Sequence, residues 1–504
     1  MFFNNIKCNL FCKFKFYNTY IYVITCIFFF TYLFFITSHL FGNHDYYILF
    51  NKTPWYGHSY DARPLSDVAI QLTEGSYIAI ITPFISFIFF ILSAILFIFS
   101  LEEECDKKRF LLSVLIFVLY PTLLGRIYYE GAGIGNNFGL LCTISGFYSY
   151  NIIINKKFKF IIPIILFTIS LLVCQISINT IFCMIIFYIF LNKKYKILDM
   201  FSFIVIPSLV YFIVIKFFGL YGTGYNNAFP SIYIILNNIV NCFKAHLNIL
   251  YKTQPPMDKN FKIVFCAIIL YFIFLNTTNI RKNILIFIKK ACLIFILLFF
   301  HNISAYASAN IVAYPSNFRI DYYAVPLIYS FITYNILTKK ELNKVINILK
   351  TFVIIYAIFL CSVSDCRAIY IWKNSICNDM LYCNRILNSI ESNENFDPLK
   401  NYKIIQIGDR PVWSNKYYNN YDMYTLELQR PFNVGNNAAQ MFMFISPNYN
   451  FINCDLNDID LKKYYLYIKK LNQYPKYNSI LIIDNYIFIV LNKDILKEKI
   501  KNLK

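Results

Sequence analysis

Apolar runs of sixteen or more residues recur along this 504-residue chain, separated by short charged stretches. That pattern indicates a polytopic membrane protein rather than a soluble core. Composition agrees, because 58% of the residues are hydrophobic and the mean hydropathy is +0.50, above the roughly 45–50% apolar content of soluble domains. Ile, Asn, Lys, Phe and Tyr are over-used throughout, as AT-rich codons would produce, so most single Phe and Tyr residues carry little information. The N-terminal run is about twenty residues long and has no small-residue cleavage site, so it is expected to be an uncleaved first span.

Spans are expected near 18–41, 77–100, 110–125, 138–154, 160–175, 177–191, 200–219, 262–278, 291–308, 322–338 and 351–364. The connections then alternate in character. Lys7, Lys13 and Lys15, KKR at 107–109, NKKFK, NKKYK, RKNILIFIKK and KKELNK fall on one side, which collects 20 Lys and Arg against 9 on the other. The basic side is expected to be cytoplasmic. The run FIIPIILFTISLLVCQISINTIFCMIIFYIFL has two readings, one long helix or a tight hairpin tipped by CQISINT. Only the hairpin keeps both flanking basic loops on one side. The expected architecture is therefore an α-helical polytopic membrane protein of about 11 transmembrane helices (residues 1–364) with a small C-terminal α/β extracytoplasmic domain (365–504). The N-terminus is expected inside and the C-terminal domain outside.

The net charge of +20 would suggest nucleic acid in a soluble protein. Here residues 365–504 are nearly balanced, with 18 basic and 14 acidic side chains, and the excess flanks the apolar runs. It reads as a topology signal with affinity for membrane lipid, not as a nucleic-acid surface. In the tail, YKIIQIG and the pair SILIID and YIFIVL have strand character, with a turn at DN. DMLYCNRILNSIES and DLKKYYLYIKKL have helical spacing. No Walker, GxGxxG or HExxH pattern occurs, so no nucleotide or zinc site is indicated.

Polar chemistry concentrates in HDYYILFNKTPWYGHSYDARPLSD, residues 44–67, which is expected on the outer face. Inverting glycosyl transfer needs a carboxylate to take a proton from the acceptor hydroxyl, and positive charge to stabilise the departing phosphate. Asp45 lies just beyond the first span, where partial desolvation suits a base. The bland role for His44-Asp45 is a polar helix terminus. Asp61 and Asp67 could orient the acceptor or a divalent ion. Arg63, Arg126 and Arg319 are phosphate candidates, because the guanidinium fork matches phosphate. Their bland roles are ion pairs, Arg126 with Glu130 and Arg319 with Asp321. In the tail, Trp413, Tyr417, Tyr418 and Tyr421 could stack on sugar rings, or simply pack.

Asp45, WYGHSYD, Ala62-Arg63-Pro64-Leu65 and Asp67 together resemble the GT-C class of membrane glycosyltransferases, and within it the bacterial serotype-converting O-antigen glucosyltransferases. Gln175, in an outer hairpin, also fits, with a hairpin cap as its bland role. The likeness is detailed over the first 75 residues and architectural beyond them. His44 stands where an acidic pair is common. The resemblance implies transfer of a single sugar, glucose, from a polyprenyl-phosphate donor to a lipid-linked glycan acceptor at the outer face of the bacterial inner membrane. It implies no fixed cofactor, with a divalent cation, Mg or Mn, as the one helper the acidic loop could recruit. His44 and His58 read as hydrogen-bonding neighbours rather than metal ligands.

Two other functions compete. An O-antigen polymerase or ligase would also span the membrane many times and carry outer arginines. A transporter or flippase of lipid-linked sugar would carry ionisable groups inside its spans and inverted repeats. Few charges fall within the expected spans, Lys216 being the nearest, and no repeat is visible. Among 15 cysteines, Cys366, Cys377, Cys383 and Cys454 fall in the proposed outer domain, where an oxidising compartment predicts at least one disulfide.

Overall fold

The apolar runs fold into helices in a computed structural model. It describes residues 2–37, 65, 81–102, 105–121, 130–175, 177–193, 197–217, 233, 236, 237, 240, 259–277, 284–299, 324–339, 343–408 and 438–501. Eleven helices occupy the expected spans among these residues. They are α1 (Phe2–Thr37), α2 (Ile81–Leu101), α3 (Lys107–Leu119), α4 (Glu130–Ile152), α5 (Lys156–Val173), α6 (Ser177–Phe190), α7 (Ile197–Phe217), α8 (Lys259–Thr277), α9 (Ile284–Phe299), α10 (Ala324–Thr338) and α11 (Lys344–Glu391). By contacts the chain divides into two compact units at Ile369/Tyr370.

Five of these helices, not eleven, are long and apolar enough to cross a membrane: Leu10–Leu33, Pro83–Leu101, Leu198–Phe217, Lys259–Asn276 and Lys344–Tyr370. The chain is thus a membrane-embedded helical protein, and the others fall short for physical reasons. α3, α6, α9 and α10 have 13, 14, 16 and 15 residues. At ~1.5 Å per residue they reach only about 20–24 Å. α4 carries the polar run EGAGIGNN, and α5 opens on three lysines. Outward faces are greasy where the span criterion is met. On α11, Val345, Ile348, Leu349, Phe352 and Phe359 are all exposed at helical spacing.

The helices alternate in direction, which fixes two ends of the bundle. Tyr17 of α1 stacks on Phe110 at the start of α3, with ring centroids 4.4 Å apart. Its hydroxyl donates to the Cys105 carbonyl oxygen and accepts from the Cys105 N–H. Fifteen residues on, Tyr32 meets Phe87 near the start of α2. Tyr150 near the end of α4 donates to Asp199 at the start of α7, 2.7 Å. Lys289 of α9 reaches Asn192, beyond the end of α6. The last turns of α2, α4, α6, α8 and α10 therefore gather at one end, and the basic clusters follow them in sequence.

Those lysines also cap helices. The last carbonyls of a helix lack intrahelical partners, and a cation answers both the hydrogen-bond deficit and the negative end of the dipole. Lys193 donates to Ser100 O of α2 at 2.7 Å, and Lys339 donates to Leu275 O of α8. Lys350 donates to Ile336 O of α10 at 3.3 Å and to Lys339 O. Arg109 pairs with Glu102 at 2.7 Å and donates to Thr338.

Between the ends, rings fill the core. Phe187 of α6 stacks on Phe331 of α10 at 4.1 Å, and Phe97 of α2 lies between Phe117 and Phe187. α4 and α5 approach closely because Gly146 has no side chain. A Cβ there would sit 2.4 Å from the Phe167 ring. The hairpin expected at CQISINT is present, since α5 ends at Val173 and α6 starts at Ser177.

The second unit is α/β, as expected. Its remaining elements are β1 (Tyr402–Ile407), α12 (Ala438–Ile445), β2 (Phe451–Asn453), α13 (Leu461–Ile468), β3 (Ile480–Ile483), β4 (Tyr486–Val490) and α14 (Lys493–Lys501). Strand order is β2-β1-β4-β3, with β1 parallel to both neighbours and β3–β4 an antiparallel hairpin turning at Asp484, φ 52°. Ile405, Ile407, Phe488 and Val490 pack with Tyr464, Ile468, Leu471 and Leu496. The YKIIQI strand is buried on both faces, as a central parallel strand must be. The segment DMLYCNRILNSIES is the continuation of α11 rather than a separate helix, and it buries Cys383, Ile386, Leu387 and Ile390.

The expected disulfide is absent. Cys366, Cys377, Cys383 and Cys454 form no disulfide bond. Three of them lie on α11, eleven and six residues apart. At ~1.5 Å per residue the nearer pair is about 9 Å apart along the axis, beyond the reach of a bridge.

Candidate functional site

Opposite the basic connections lies the end at which α1 finishes and α2 begins. Phe29 of α1 meets Phe84 of α2 there at 5.4 Å, and Phe28 meets Phe87 at 5.0 Å. α1 ends and α2 begins here, and the acidic stretch that joins them in sequence lies outside the described residues. Asn137 of α4 donates to Ser86 O and Ser86 Oγ of α2 at 3.1 and 2.7 Å. The first turns of α4, opened by Glu130, therefore lie at the same end. So does the α5–α6 hairpin. Ser170 Oγ lies 2.6 Å from both Thr143 Oγ1 and Gly139 O, and Gly139 faces Ser177 Oγ.

A fully buried carboxylate stands within this end. Asp365 of α11 and Tyr32 of α1 are both fully buried, and the Tyr32 hydroxyl donates to Asp365 Oδ2 at 2.7 Å. Asp365 Oδ1 has no hydrogen-bond partner among the described residues. Beside the pair, Thr31 Oγ1 and Ser362 Oγ lie 2.9 Å apart, and Cys366 Sγ lies 3.8 Å from Thr31 O. The Tyr32 ring is held by Phe28 at 4.6 Å and Phe87 at 5.6 Å. Among the described residues no ion pair reaches Asp365. From Lys344 to Asp365 is 21 residues of continuous helix, or about 30 Å at ~1.5 Å per residue. The carboxylate thus lies in the half of the Lys344–Tyr370 span that is farther from the basic end.

At the basic end the chemistry is quiet. Burial pushes the Cys105 thiol up to about 12, against an opposing pull from Arg109. Burial of this kind favours the protonated thiol and a packing role.

Of the residues expected to form the site, Gln175 occupies the turn between α5 and α6 and is half-buried, and Glu130 is the first residue of α4. Both belong to the end just described. Asp45, Asp61, Arg63, Asp67, Arg126, Arg319, Trp413, Tyr417, Tyr418 and Tyr421 lie outside the described residues, as do His44, His58 and Asp321. Among the described residues no group of three or more His, Cys, Asp or Glu side chains could hold a metal ion. Sequence reasoning missed Asp365, which it counted as the first residue of the tail. The available signal was an acid inside VIIYAIFLCSVSDCRAIYIW, a stretch apolar enough to stay helical through it.

The chain matches no family model, no curated protein and no solved structure.

Proposed function

We propose that this chain is an inverting membrane glycosyltransferase that moves a single sugar from a polyprenyl-phosphate donor to a lipid-linked glycan acceptor. In this reading all eleven helices cross or line the membrane, as in the GT-C class. The basic end faces the cytoplasm, and the acceptor end faces outward across a bacterial inner membrane. One observation carries the reading. The helices that bracket the Asp45–Asp67 loop, the start of α4 and the Gln175 turn all meet at the end opposite the basic connections. A site there would meet a lipid donor at the outer surface and would need no nucleotide fold.

The chemistry assigned to the loop balances simply. Asp45 takes the proton of the acceptor hydroxyl as that oxygen attacks the anomeric carbon. The bond from carbon to phosphate oxygen breaks, and the polyprenyl phosphate leaves with the electron pair. Arg63, Arg126 and Arg319 are the groups proposed to neutralise it, with Asp61 and Asp67 orienting the acceptor or an Mg or Mn ion. Trp413, Tyr417, Tyr418 and Tyr421 are the proposed sugar-stacking residues.

The test is the mass of the lipid-linked glycan made in membranes with and without the protein, using polyprenyl-phosphate glucose as donor. A gain of one hexose is expected, and Asp45→Asn should slow it by ~10²–10⁴-fold. An unchanged glycan mass refutes the reading.

The buried carboxylate of Asp365 favours a second reading, a transporter of lipid-linked sugar, since ionisable groups within spans mark translocation paths. Its position counts against that reading. Transporter sites lie near the bilayer midplane, whereas Asp365 lies eight residues past the middle of the Lys344–Tyr370 span, about 12 Å along the helix at ~1.5 Å per residue. Movement of labelled lipid-linked sugar across vesicles, with no gain in mass, would establish the transporter instead.

A further inference from the structure

We propose that α8, α9 and α10 bind the phosphate headgroup of an anionic membrane lipid. The Lys262 ammonium is the headgroup contact, and the lipid chain lies along an apolar cleft further down the same helix. The inference goes beyond sugar transfer and uses none of the residues assigned to it.

Lys262 is the fourth residue of α8, at the end opposite the basic clusters. A lysine this close to the end of a span ordinarily extends its ammonium to water. Here Nζ is buried instead, and no hydrogen-bond partner reaches it among the described residues. No counter-charge lies on the three helices either, because α8, α9 and α10 contain no acidic residue. Lys289 and Lys290 of α9 differ, since they reach Asn192 and Asn276 toward the basic end. A buried cation with no partner is costly, and an anion brought by a ligand removes that cost.

The stripe of α8 that carries Lys262 continues through Cys266 to Ile269, at i+4 and i+7. Cys266 lies within electrostatic range of both Lys262 and Tyr329 of α10, which turns this stripe toward α10. At Ile269 it enters a cleft between the three helices, lined by Ile269, Phe272, Ile294, Leu297, Ile328 and Ile332, all apolar. From Lys262 to Ile269 is about 10 Å along the helix at ~1.5 Å per residue. Leu270 and Phe295, next in sequence to Ile269 and Ile294, are exposed, so the cleft lies near the lipid-facing surface. Its enclosed volume is about 10 Å³, room for one water-sized group. A bulky ligand cannot enter it, but a hydrocarbon chain can lie along it. A cation above an apolar groove is complementary to an anionic head on a hydrocarbon chain. Free phosphate would satisfy the ammonium and leave the groove unused.

Equilibrium binding of radiolabelled dioleoyl phosphatidic acid to the full chain in nonionic detergent tests this. Saturable binding is expected, displaced by unlabelled phosphatidic acid but not by an excess of phosphatidylcholine or inorganic phosphate. Lys262→Met keeps the length of the side chain and removes its charge. It should weaken binding about ten- to hundredfold, the worth of a hydrogen bond to a charged group. Lys259→Met, which removes an exposed charge at the start of the same helix, should leave affinity within about threefold. Without lipid, Lys262→Met should unfold at or above the parent's temperature, because an unpaired buried cation is gone. With phosphatidic acid present, the parent should gain more in Tm than Lys262→Met does. Parental affinity in Lys262→Met overturns the proposal. So does a lipid-free Lys262→Met chain that unfolds below the parent, since the ammonium would then have a partner within the protein. Displacement by phosphatidylcholine would mean ordinary surrounding lipid, and displacement by inorganic phosphate would mean that the cleft plays no part. Either result overturns the lipid site, and both are read on the parent alone, whether or not a substituted chain folds. None of these readouts involves sugar transfer, so the glycosyltransferase reading can fail without them.

Discussion

The Lys193 ammonium donates to the carbonyl oxygen of Ser100 across 93 residues of sequence, at 2.7 Å. Asn151 Nδ2 at 2.6 Å and the Tyr188 hydroxyl at 3.2 Å converge on the same oxygen, and the Lys193 ammonium also lies 5.0 Å from the Tyr188 ring centre. A carbonyl at the end of α2 thus joins α4, α6 and the connection that follows α6. Because three donors share the acceptor, losing one removes only part of the bond energy. Lys193→Met should lower stability by about 1 kcal/mol, while Lys193→Arg keeps most of it. Thermal unfolding in detergent measures both. Equal losses for Met and Arg would mean that the ammonium does not cap α2.

The contact between Gly146 and Phe167 predicts a steric effect of the opposite kind. Any Cβ at 146 meets the ring at 2.4 Å, and three ring atoms lie within 3.0 Å, so the helices must separate or the ring must turn. Gly146→Leu should cost about 1–3 kcal/mol, the usual range for overpacking. Phe167→Ala in the same chain should recover part of that, giving a coupling energy of the sign expected for neighbours. A double-mutant cycle by chemical unfolding in detergent decides it, and strict additivity would show that the two positions do not touch.

Much of this architecture was legible in the run of apolar residues, because helix formation in lipid follows hydrophobicity almost alone. Each of the eleven runs is helical over much of its described length, though only five are long and apolar enough to cross a membrane, and the break near Gln175 was readable from the two basic loops that flank it. The strands were legible where they are long, as in YKIIQI and YIFIV. β2, only three residues at Phe451–Asn453, offers no period to count. The lysines were read as topology alone. Their second role, closing the ends of α2, α8 and α10, depends on carbonyls 14 to 93 residues away. Asp365 was misread for the same reason, since its partner Tyr32 is 333 residues distant. An acid within an apolar stretch looks like the end of a span until the donor that satisfies it is known. Most of the residues expected to do chemistry lie outside the described residues, in stretches of sequence with no period to count.

In the second unit, Asp484 links stability to pH. It accepts from Lys463 Nζ at 3.0 Å and from the Tyr464 hydroxyl at 2.9 Å, and these hydrogen bonds, Lys463 first, hold its carboxyl below the usual 3.8. A carboxyl depressed in the folded state stabilises fully above its unfolded value. That contribution is lost as pH falls from about 4 through the folded value. Hydrogen-exchange protection of the β3–β4 hairpin should therefore decline below pH 4 in the parent chain. In Asp484→Asn it should stay flat over that interval, at a lower level. A parallel decline in both would assign the effect to other carboxyls.

The hairpin between α5 and α6 decides the sidedness of everything after it. α5 ends at Val173, where the Cys174 N–H bonds to Ser170 O at 2.8 Å, and the Ser177 N–H bonds to Cys174 O at 3.0 Å as α6 begins. The chain therefore reverses within three residues, and Asn155 and Lys193 return to the same end of the bundle. A single continuous helix over 160–191 would instead separate the NKKFK and NKKYK loops by a membrane and invert α7 through α11. With the basic end in the cytoplasm, a reporter that works only outside should be active when fused after Gln175 and inactive after Lys194. It should also be inactive after Lys340 and active after Lys504. Activity after Lys194 would require one continuous helix, and would carry the end that bears Asp365 to the cytoplasmic side.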